Sequence, residues 1–196
     1  RALSAAEVSD YARSPVFRGG LFMTEGANVH PARLARALRQ AAIEQGVRVY
    51  ENPAMTGLDT GSPNRVRTAN GEIIARDVVL ATNTAIAADP DIRAHVTVFS
   101  SYALMTEPAE AELAAMDWRG DHGMSDLRMF VHYFRKTTDN RMLMGSGSGP
   151  ISFNGNAVAP MLTTDADSGQ RAVRGLRRLL PALAHVGIAK IWGGGI

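Results

Sequence analysis

Residues 30–51 read HPARLARALRQAAIEQGVRVYE, and this stretch predicts a helix followed by a strand. Proline is favoured at the first helical position because the N–H that it lacks would have no partner there, so Pro31 indicates where the helix begins. Gly46 can take the left-handed conformation that ends a helix, and Val47–Glu51 then alternates as a strand does. Apolar residues recur every four positions along the helix, at Leu34, Leu38 and Ala42. Helix, glycine and strand in this order form the second half of a βαβ unit and favour an α/β fold.

The segment that follows predicts a hairpin and then a buried strand. Arg65–Ala69 and Glu72–Ala75 flank Asn70-Gly71, the pair that best tolerates positive φ at both central positions of a type I′ turn. Val78–Ala81 is an unbroken apolar run, which is typical of a strand buried on both faces of a parallel sheet. We therefore predict an α/β segment at residues 30–89.

After Pro90 the pattern changes to longer strands separated by turns and helices. The predicted strands are Val96–Met105, Met129–Phe134, Arg141–Met144 and Val186–Trp192. Two helices are predicted between them, one that ends near Met116 and one that Thr164 or Asp165 caps. The apolar face of the second helix consists of Val173, Leu176, Leu179 and Leu180. The fold class is therefore α/β with mixed α+β character, in which the α/β segment lies between antiparallel segments.

Composition and charge exclude several classes of function. Of the 196 residues, 45% are hydrophobic and 20% are charged, which is typical of a globular protein and not of a disordered one. Lys and Arg total 21 against 19 Asp and Glu, so the net charge of +2 favours neither a nucleic-acid partner nor an anionic membrane surface. The chain has no cysteine, which excludes a disulfide scaffold, a thiol nucleophile and a thiolate-bound metal. Its 5 histidines include no pair at i, i+4, so we predict no metal site.

No segment predicts a membrane span or a signal peptide. The longest stretch without a charge, Met142–Thr164, contains glycines and prolines that would break a spanning helix. Residues 1–7 lack the apolar core of a signal peptide, and we expect a cytoplasmic protein.

Few motifs point to a specific chemistry. No Gly-Lys pair is present, which excludes a phosphate-binding P-loop, and no serine lies in a nucleophile elbow. The run Gly145–Gly149 has the wrong spacing for a dinucleotide-binding loop and predicts a flexible loop.

Tyr133 and Arg135 lie two residues apart on a strand, so they share a face where they can bind a carboxylate or orient a small polar substrate. The alternative is an ordinary solvated strand face. Trp192 before three glycines would let a flat ring approach the backbone; the alternative is a core tryptophan followed by a turn.

The order of several segments resembles that of a flavoprotein family. The segments are Gly26–Leu34, Gly46–Glu51, Val66–Gly71, Asp77–Ala85, Ser125–Arg128, Tyr133–Arg141 and Ile191–Gly194. Through them, residues 17–196 resemble the D-amino-acid oxidase, glycine oxidase and sarcosine oxidase family. Within that family the similarity is closest to the gamma-glutamylputrescine oxidase-like amine oxidoreductases.

The resemblance implies a Rossmann-like domain that binds FAD, interleaved with a substrate domain built on an antiparallel sheet. On this plan residues 30–89 belong to the FAD domain, 1–29 and 90–185 belong to the substrate domain, and 186–196 return to the FAD domain. The implied activity is oxidation of a small-molecule amine or amino acid by hydride transfer to FAD.

The resemblance also implies which residues approach the ligands. Those expected near the cofactor are Met55 (through its backbone, at the adenine), Ala81, Thr82 and Asn83 (at the dinucleotide), and Gly193 and Gly194 (at the isoalloxazine ring). Tyr133 is expected to face the substrate, and Arg135 is expected at the same pocket.

Some features of the family are missing from these residues. They are the Gly-x-Gly-x-x-Gly that seats the pyrophosphate on a helix N-terminus, the acidic residue that holds the ribose, and the segment after the Trp-Gly motif. We therefore expect an internal fragment of a longer protein that neither binds FAD tightly nor catalyses alone. The lysine with which sarcosine oxidases activate oxygen is absent from Arg141–Met144, so the resemblance does not imply rapid use of oxygen and leaves two alternatives open, an oxidase and a dehydrogenase. The alternative is a non-catalytic ligand-binding or interaction module; a nicotinamide-dependent dehydrogenase fits the antiparallel half poorly.

Overall fold

A computed structural model describes residues 1–51, 54–147 and 149–196 of the chain. Its α-helices are α1 (Ala5–Ser9), α2 (Pro31–Glu44), α3 (Pro90–Arg93), α4 (Glu110–Ala115), α5 (Met161–Thr164) and α6 (Ala166–Leu179). Its strands are β1 (Ala2–Ser4), β2 (Gly19–Leu21), β3 (Met55–Asp59), β4 (Asn64–Thr68), β5 (Gly71–Ala75), β6 (Val98–Thr106), β7 (Gly123–Ser125), β8 (His132–Lys136), β9 (Met142–Ser146), β10 (Ile151–Ser152) and β11 (Ile188–Gly195). Short 3-10 helices cover Asn83–Ala88, Phe153–Gly155 and Pro181–Leu183. The chain divides into two compact units, residues 29–81 and residues 1–28 with 82–196.

The smaller unit contains α2 and a three-stranded sheet in the order β3-β4-β5. Pro31 opens α2 as predicted, and the His30 side chain caps the helix by accepting a hydrogen bond from the Arg33 N–H. Gly46, which has a φ of 86°, follows the helix as expected. Local sequence therefore sets both ends of this helix.

The predicted hairpin of this unit is present, but its turn lies one residue earlier than predicted. Thr68 pairs with Gly71, so the two loop residues are Ala69 and Asn70. Gly71, with a φ of 144°, is the first residue of β5 and not a central turn residue. The hydrophobic and turn pattern predicts the hairpin, whereas strand pairing sets its register.

Two strands predicted for the smaller unit are absent. Neither Val47–Glu51 nor Val78–Ala81 is a strand, and Val79 is 89% exposed, so the prediction of a strand buried on both faces is wrong. A parallel strand forms only by pairing with neighbours, whereas the described strands of this unit pair with one another in antiparallel fashion. The predicted apolar stripe of α2 is exposed as well, at Leu34 and Leu38. No described residue of 29–81 is buried, because the described part of this unit places nothing over these apolar positions.

The larger unit is built on a six-stranded antiparallel sheet. Its strands follow the order β10-β6-β9-β8-β7, and β11 pairs with β6. Along one edge of β6 run β9 and β10, and the other edge pairs with β11 from Ser100 to Thr106. The long strand β6 is therefore the centre of the unit.

The predicted elements of the larger unit are present with shifted ends. The segment predicted as Val96–Met105 is β6, the two strands around the 138–140 turn are β8 and β9, and the final strand is β11. The Gly145–Gly149 run is partly strand and not wholly loop, because β9 continues to Ser146; Ser148 lies outside the described residues. The last strand also continues through the glycines to Gly195, where pairing with β6 supplies the backbone hydrogen bonds.

Helix α6 supplies most of the cover for this sheet. Asp165 caps it as predicted, with the Asp165 carboxylate accepting a hydrogen bond of 2.8 Å from the Ser168 N–H. The predicted apolar face is buried, at Val173, Leu176, Leu179 and Leu180. It packs against Leu104 and Met144 of the sheet in one core cluster. Burying a side chain of this size contributes about 1.5 to 3 kcal/mol, so this helix is a main source of the unit's stability.

Within the described residues, no helix is both long enough and apolar enough to cross a bilayer.

Candidate functional site

Residues of the six-stranded sheet alternate between two faces. We call the face under α5 and α6 the closed face; it includes Tyr102, Leu104, His132, Phe134 and Met144. The opposite, open face is defined by the register of the strands and comprises Ser101, Ala103, Met105, Tyr133, Arg135, Leu143, Gly145, Lys190, Trp192 and Gly194. The sequence-predicted substrate residues thus lie on the face that the helices leave uncovered.

Tyr133 lies on the open face of β8 and is 41% exposed. Its ring crosses Gly145 of β9 so closely that a Cβ on that glycine would lie 1.9 Å from the ring Cζ. Its hydroxyl is 3.4 Å from the Oγ of Ser101 on β6. This separation is longer than a usual O–H···O hydrogen bond, so the hydroxyl can still bind a ligand.

Arg135 lies in the next row of the same face. It pairs with Leu143 on β9 and with Gly123 on β7, and it is partly buried. Because Tyr133 and Arg135 are two residues apart on β8, their side chains leave the sheet on the same side. The structure therefore brings the two predicted substrate residues together.

Gly193 and Gly194 lie on different faces of β11. A Cβ on Gly193 would lie 2.5 Å from the carbonyl oxygen of Leu162 and 2.6 Å from the ring of Tyr102, both on the closed side. A Cβ on Gly194 would have no atom of the described residues within 4 Å. Gly194 is the register partner of Ser101, the residue that the Tyr133 hydroxyl reaches. Close packing thus accounts for Gly193, whereas the space over Gly194 lies beside Ser101 on the open face.

The predicted cofactor residues Thr82 and Asn83 begin a 3-10 helix of the larger unit. Asn83 has a φ of 51°, in the left-handed region that few residues other than glycine adopt. The next residue, Thr84, lies 3.5 Å from the position that a Cβ of Gly195 would occupy. The start of this helix is therefore next to the glycine end of β11.

The remaining two predicted cofactor residues belong to the smaller unit. Met55 begins β3 and is 44% exposed, and Ala81 is the last residue of the unit. They lie far apart along the chain, and Ala81 is exposed at the end of a segment without regular secondary structure.

On the closed side, a charged cluster fixes the loop that leads into β8. The Asp126 carboxylate accepts hydrogen bonds from the backbone N–H of His132 at 2.9 Å and from Nε of Arg128 at 2.7 Å. Burial acts to raise the pKa of Asp126, but these hydrogen bonds outweigh it and the pKa is lowered. Burial lowers the pKa of His132. A charged Asp126 beside a neutral His132 therefore holds the strand on which Tyr133 lies.

Sequence reasoning missed Ser101 and the Asp126 cluster as parts of the site. Alternation along β6 places Ser101 on the same face as Ala103, which the predicted strand could have indicated. The positions of β9 next to β6, and of β8 next to β9, are known only from the order of the strands in the sheet. Ser125–Arg128 is one of the segments that resemble the flavoprotein family, but the contact of Asp126 with His132 joins residues six positions apart across a loop.

The site contains residues that fit a flat aromatic cofactor, since no described side chain covers the backbone at Gly194, whose register partner Ser101 lies 3.4 Å from the Tyr133 hydroxyl. Among the described residues, no three or more histidine, cysteine, aspartate or glutamate side chains come together as a metal centre would require.

Comparison with protein families gives a match over the whole chain. The family model described as DAO, FAD dependent oxidoreductase, matches residues 1–196. A curated relative, the probable oxidoreductase OrdL of Haemophilus influenzae, is 29% identical over 141 residues, which are 69% of this chain and 33% of that protein. Gamma-glutamylputrescine oxidoreductase of Escherichia coli is 29% identical over 147 residues, 74% of this chain and 34% of that protein. The chain thus spans about a third of the length of these relatives.

Solved structures share the fold. Glycine oxidase from Geobacillus kaustophilus aligns with a TM-score of 0.72 and 18% identity, over 100% of this chain and 50% of that one. L-proline dehydrogenase from P. horikoshii aligns with a TM-score of 0.78 and 16% identity, over 100% of this chain and 52% of that one. At these identities the likeness concerns the fold.

Proposed function

This chain belongs to the DAO family of FAD-dependent oxidoreductases, and on that premise we propose that it is part of an enzyme that oxidises an amine or amino acid by hydride transfer to FAD. The observation that carries the proposal is the open face of the sheet, where the Tyr133 hydroxyl lies 3.4 Å from Ser101, the register partner of Gly194. The names of similar proteins, a gamma-glutamylputrescine oxidoreductase among them, support an amine or amino acid as the substrate class.

When bound, FAD supplies the electron-accepting ring that takes up a hydride from the carbon bearing the amine. This chain's residues proposed to lie along the cofactor are Met55, Ala81, Thr82, Asn83, Gly193 and Gly194. Of these, Gly194 has the clearest local reason, because a side chain there would fill space beside Ser101. Gly193 would act indirectly, by letting β11 lie close to Tyr102.

Tyr133 is proposed to orient the substrate. A neutral amine can donate a hydrogen bond to the Tyr133 oxygen, and a substrate carboxylate can accept one from its O–H. The ring is held in place because it lies across Gly145, where no side chain intervenes. A positioned hydroxyl of this kind lowers the entropy that the substrate loses as it reaches the reactive geometry.

Arg135 is proposed to act on the charged end of the substrate. It extends from the same face as Tyr133, one row along the sheet. A guanidinium group attracts a carboxylate and can bind it through two parallel hydrogen bonds. The pair would thus bind an amine that carries a carboxylate at some distance from the reacting carbon.

The first experiment is the flavin spectrum of the protein expressed from its complete gene. We expect a bound yellow flavin that an amine or amino acid bleaches under anaerobic conditions. A preparation that stays colourless after FAD is added, or whose flavin no amine or amino acid bleaches, would contradict the proposed function.

The second experiment compares matched tyrosine variants on the two faces. Tyr133→Phe should lower kcat/KM for the amine by about 10-fold or more, the effect of losing one hydrogen bond made in the transition state, with FAD content unchanged. Tyr102→Phe removes a closed-face hydroxyl that donates to the Met161 carbonyl oxygen at 2.9 Å, so it should lower stability and leave the turnover of folded enzyme nearly unchanged. Equal loss of turnover and flavin in Tyr133→Phe would instead mean that this tyrosine is structural.

A further inference from the structure

A cavity of about 600 Å³ opens on the closed side of the sheet, away from Tyr133 and Gly194. It lies between α6 and the loop that precedes β8. Four of its lining residues are arginines: Arg128, Arg171, Arg174 and Arg178. Met129 and Phe130 line it with apolar side chains, and Gly175 lies against His132.

The three arginines of α6 share one face of the helix. Arg171, Arg174 and Arg178 are separated by three and four residues, the spacing at which helical side chains are neighbours. Like charges at this spacing repel one another and destabilise a helix, so the grouping costs stability unless an anion compensates it.

The charges of the cavity are only partly compensated by the protein. Arg128 is paired with Asp126 at 2.5 Å, and Arg171 has a weaker ion pair with Asp165 at 3.8 Å. Within the described part of the chain, Arg174 and Arg178 form no ion pair, and the lining described for the cavity includes no carboxylate. Asp126 lines an adjoining recess together with Arg178, but among the described residues no carboxylate forms an ion pair with the guanidinium group of Arg174 or of Arg178.

The guanidinium group has a planar set of donors that matches phosphate and carboxylate oxygens. Several such groups around one recess, with an apolar wall on one side, fit an anion that carries more than one charge. The volume is in the range of small-molecule sites, so the ligand can be larger than a single inorganic ion.

We propose that this cavity binds a small polyanion that bears phosphate or carboxylate groups, with Arg174 and Arg178 as its principal ligands. The site is separate from the proposed redox site, because it lies on the other face of the sheet. Binding there would stabilise α6 and the 126–132 loop, and through that loop the strand that carries Tyr133.

The test uses the protein expressed from its complete gene and two probes, pyrophosphate and citrate. Binding of each probe to the folded protein is measured by equilibrium titration calorimetry at a constant ionic strength of about 0.15 M, so that general screening does not change. We expect at least one probe to bind in a saturable manner, with a midpoint concentration that reports its Kd. The probe with the lower midpoint identifies the preferred chemistry, phosphate or carboxylate.

The variant Arg174→Gln/Arg178→Gln should shift that midpoint by about 10-fold or more, since each lost charge-assisted hydrogen bond weakens binding. Arg177→Gln is the matched control: it removes an exposed arginine from the same helix outside the cavity, and its midpoint should equal that of the parent. If the double variant fails to fold, Arg174→Gln alone serves, with an expected shift of about 3-fold or more. Neither probe saturating in the parent, or an equal midpoint in the parent and the cavity variants, would overturn the proposal.

Discussion

Each face of the six-stranded sheet carries a tyrosine, and the two tyrosines differ in burial and in hydrogen bonding. Tyr102 on the closed face is 2% exposed, and its hydroxyl donates to the Met161 carbonyl oxygen and accepts from the Asp165 N–H. Tyr133 on the open face is 41% exposed, and within the described residues its hydroxyl has one long polar contact, 3.4 Å to Ser101. Neighbouring strands thus place the two tyrosines in different environments. On the closed face the Tyr102 hydroxyl forms its hydrogen bonds within the protein, whereas on the open face the Tyr133 hydroxyl can still bind a ligand.

This difference separates stability from function. On the closed face, large side chains of the sheet pack against those of α6. A substitution that changes the shape of one of these side chains therefore loses packing contacts. On the open face, the space over Gly194 and the partly exposed Tyr133 contribute little packing but offer a surface to a ligand. Substitutions on the two faces should therefore separate into those that lower the free energy of unfolding and those that lower turnover.

The largest expected effect is on the closed face. Leu176 is fully buried in the core, so Leu176→Ala should lower the free energy of unfolding by about 2 to 5 kcal/mol through lost burial and the cavity left behind. Leu127→Ala is the matched control, because Leu127 is 100% exposed and should show almost no change. Urea unfolding of both variants measures the difference. A loss below about 1 kcal/mol in Leu176→Ala would mean that α6 is not the main cover of this sheet.

Adjacent glycines of β11 provide a sharper test of the two faces. Gly193→Ala places a Cβ against the Leu162 carbonyl oxygen and the Tyr102 ring, and should cost about 1 to 3 kcal/mol through overpacking. In Gly194→Ala the new Cβ meets no atom within 4 Å in the part of the chain that the structure describes, so stability should be nearly unchanged while flavin content or amine turnover falls. Urea unfolding and the flavin absorbance of each variant measure the two outcomes. If Gly194→Ala retained full flavin content and turnover, the cofactor would not approach the sheet at this residue.

The smallest expected effect is a dependence of stability on pH. Burial lowers the pKa of His122 and of His132 below their ordinary value of 6.5. The unfolded chain therefore takes up protons first as the pH falls, so stability that is present above about pH 6.5 is lost below it. His122 stacks on Trp118 with ring centroids 5.1 Å apart, and its buried Nε2 has no hydrogen-bond partner among the described residues. His122→Phe can keep the stacking and should reduce the loss of stability between pH 7 and pH 5, measured by urea unfolding; an unchanged loss would contradict this assignment.

Much of the secondary structure could be predicted from local patterns. The Pro31 start of α2, the Asp165 cap of α6 and the hairpin of β4 and β5 each depend on residues within a few positions of one another. Such signals act through short-range sterics and capping hydrogen bonds, which the neighbouring chain is sufficient to provide.

The smaller unit shows where local patterns stop being sufficient. Val78–Ala81 has the sequence of a buried strand but is not one, and α2 has an apolar stripe that is exposed. Apolar residues favour burial only where another element supplies a surface, and none of the described residues of 29–81 is buried. The prediction of a buried strand at Val78–Ala81 is wrong because an apolar sequence favours burial but does not supply the surface that would bury it.

For the site, the sequence placed Tyr133 and Arg135 on one face of a strand because side chains alternate with a period of two. It also determined the helix starts and the hairpin, and it carried the segments that resemble the flavoprotein family. Only the tertiary structure decided which face is open, that Ser101 lies beside the Tyr133 hydroxyl, and that Gly193 and Gly194 face opposite environments. The physical reason is that strand order and helix cover bring together residues far apart along the chain, and those contacts depend on the packing of the whole unit.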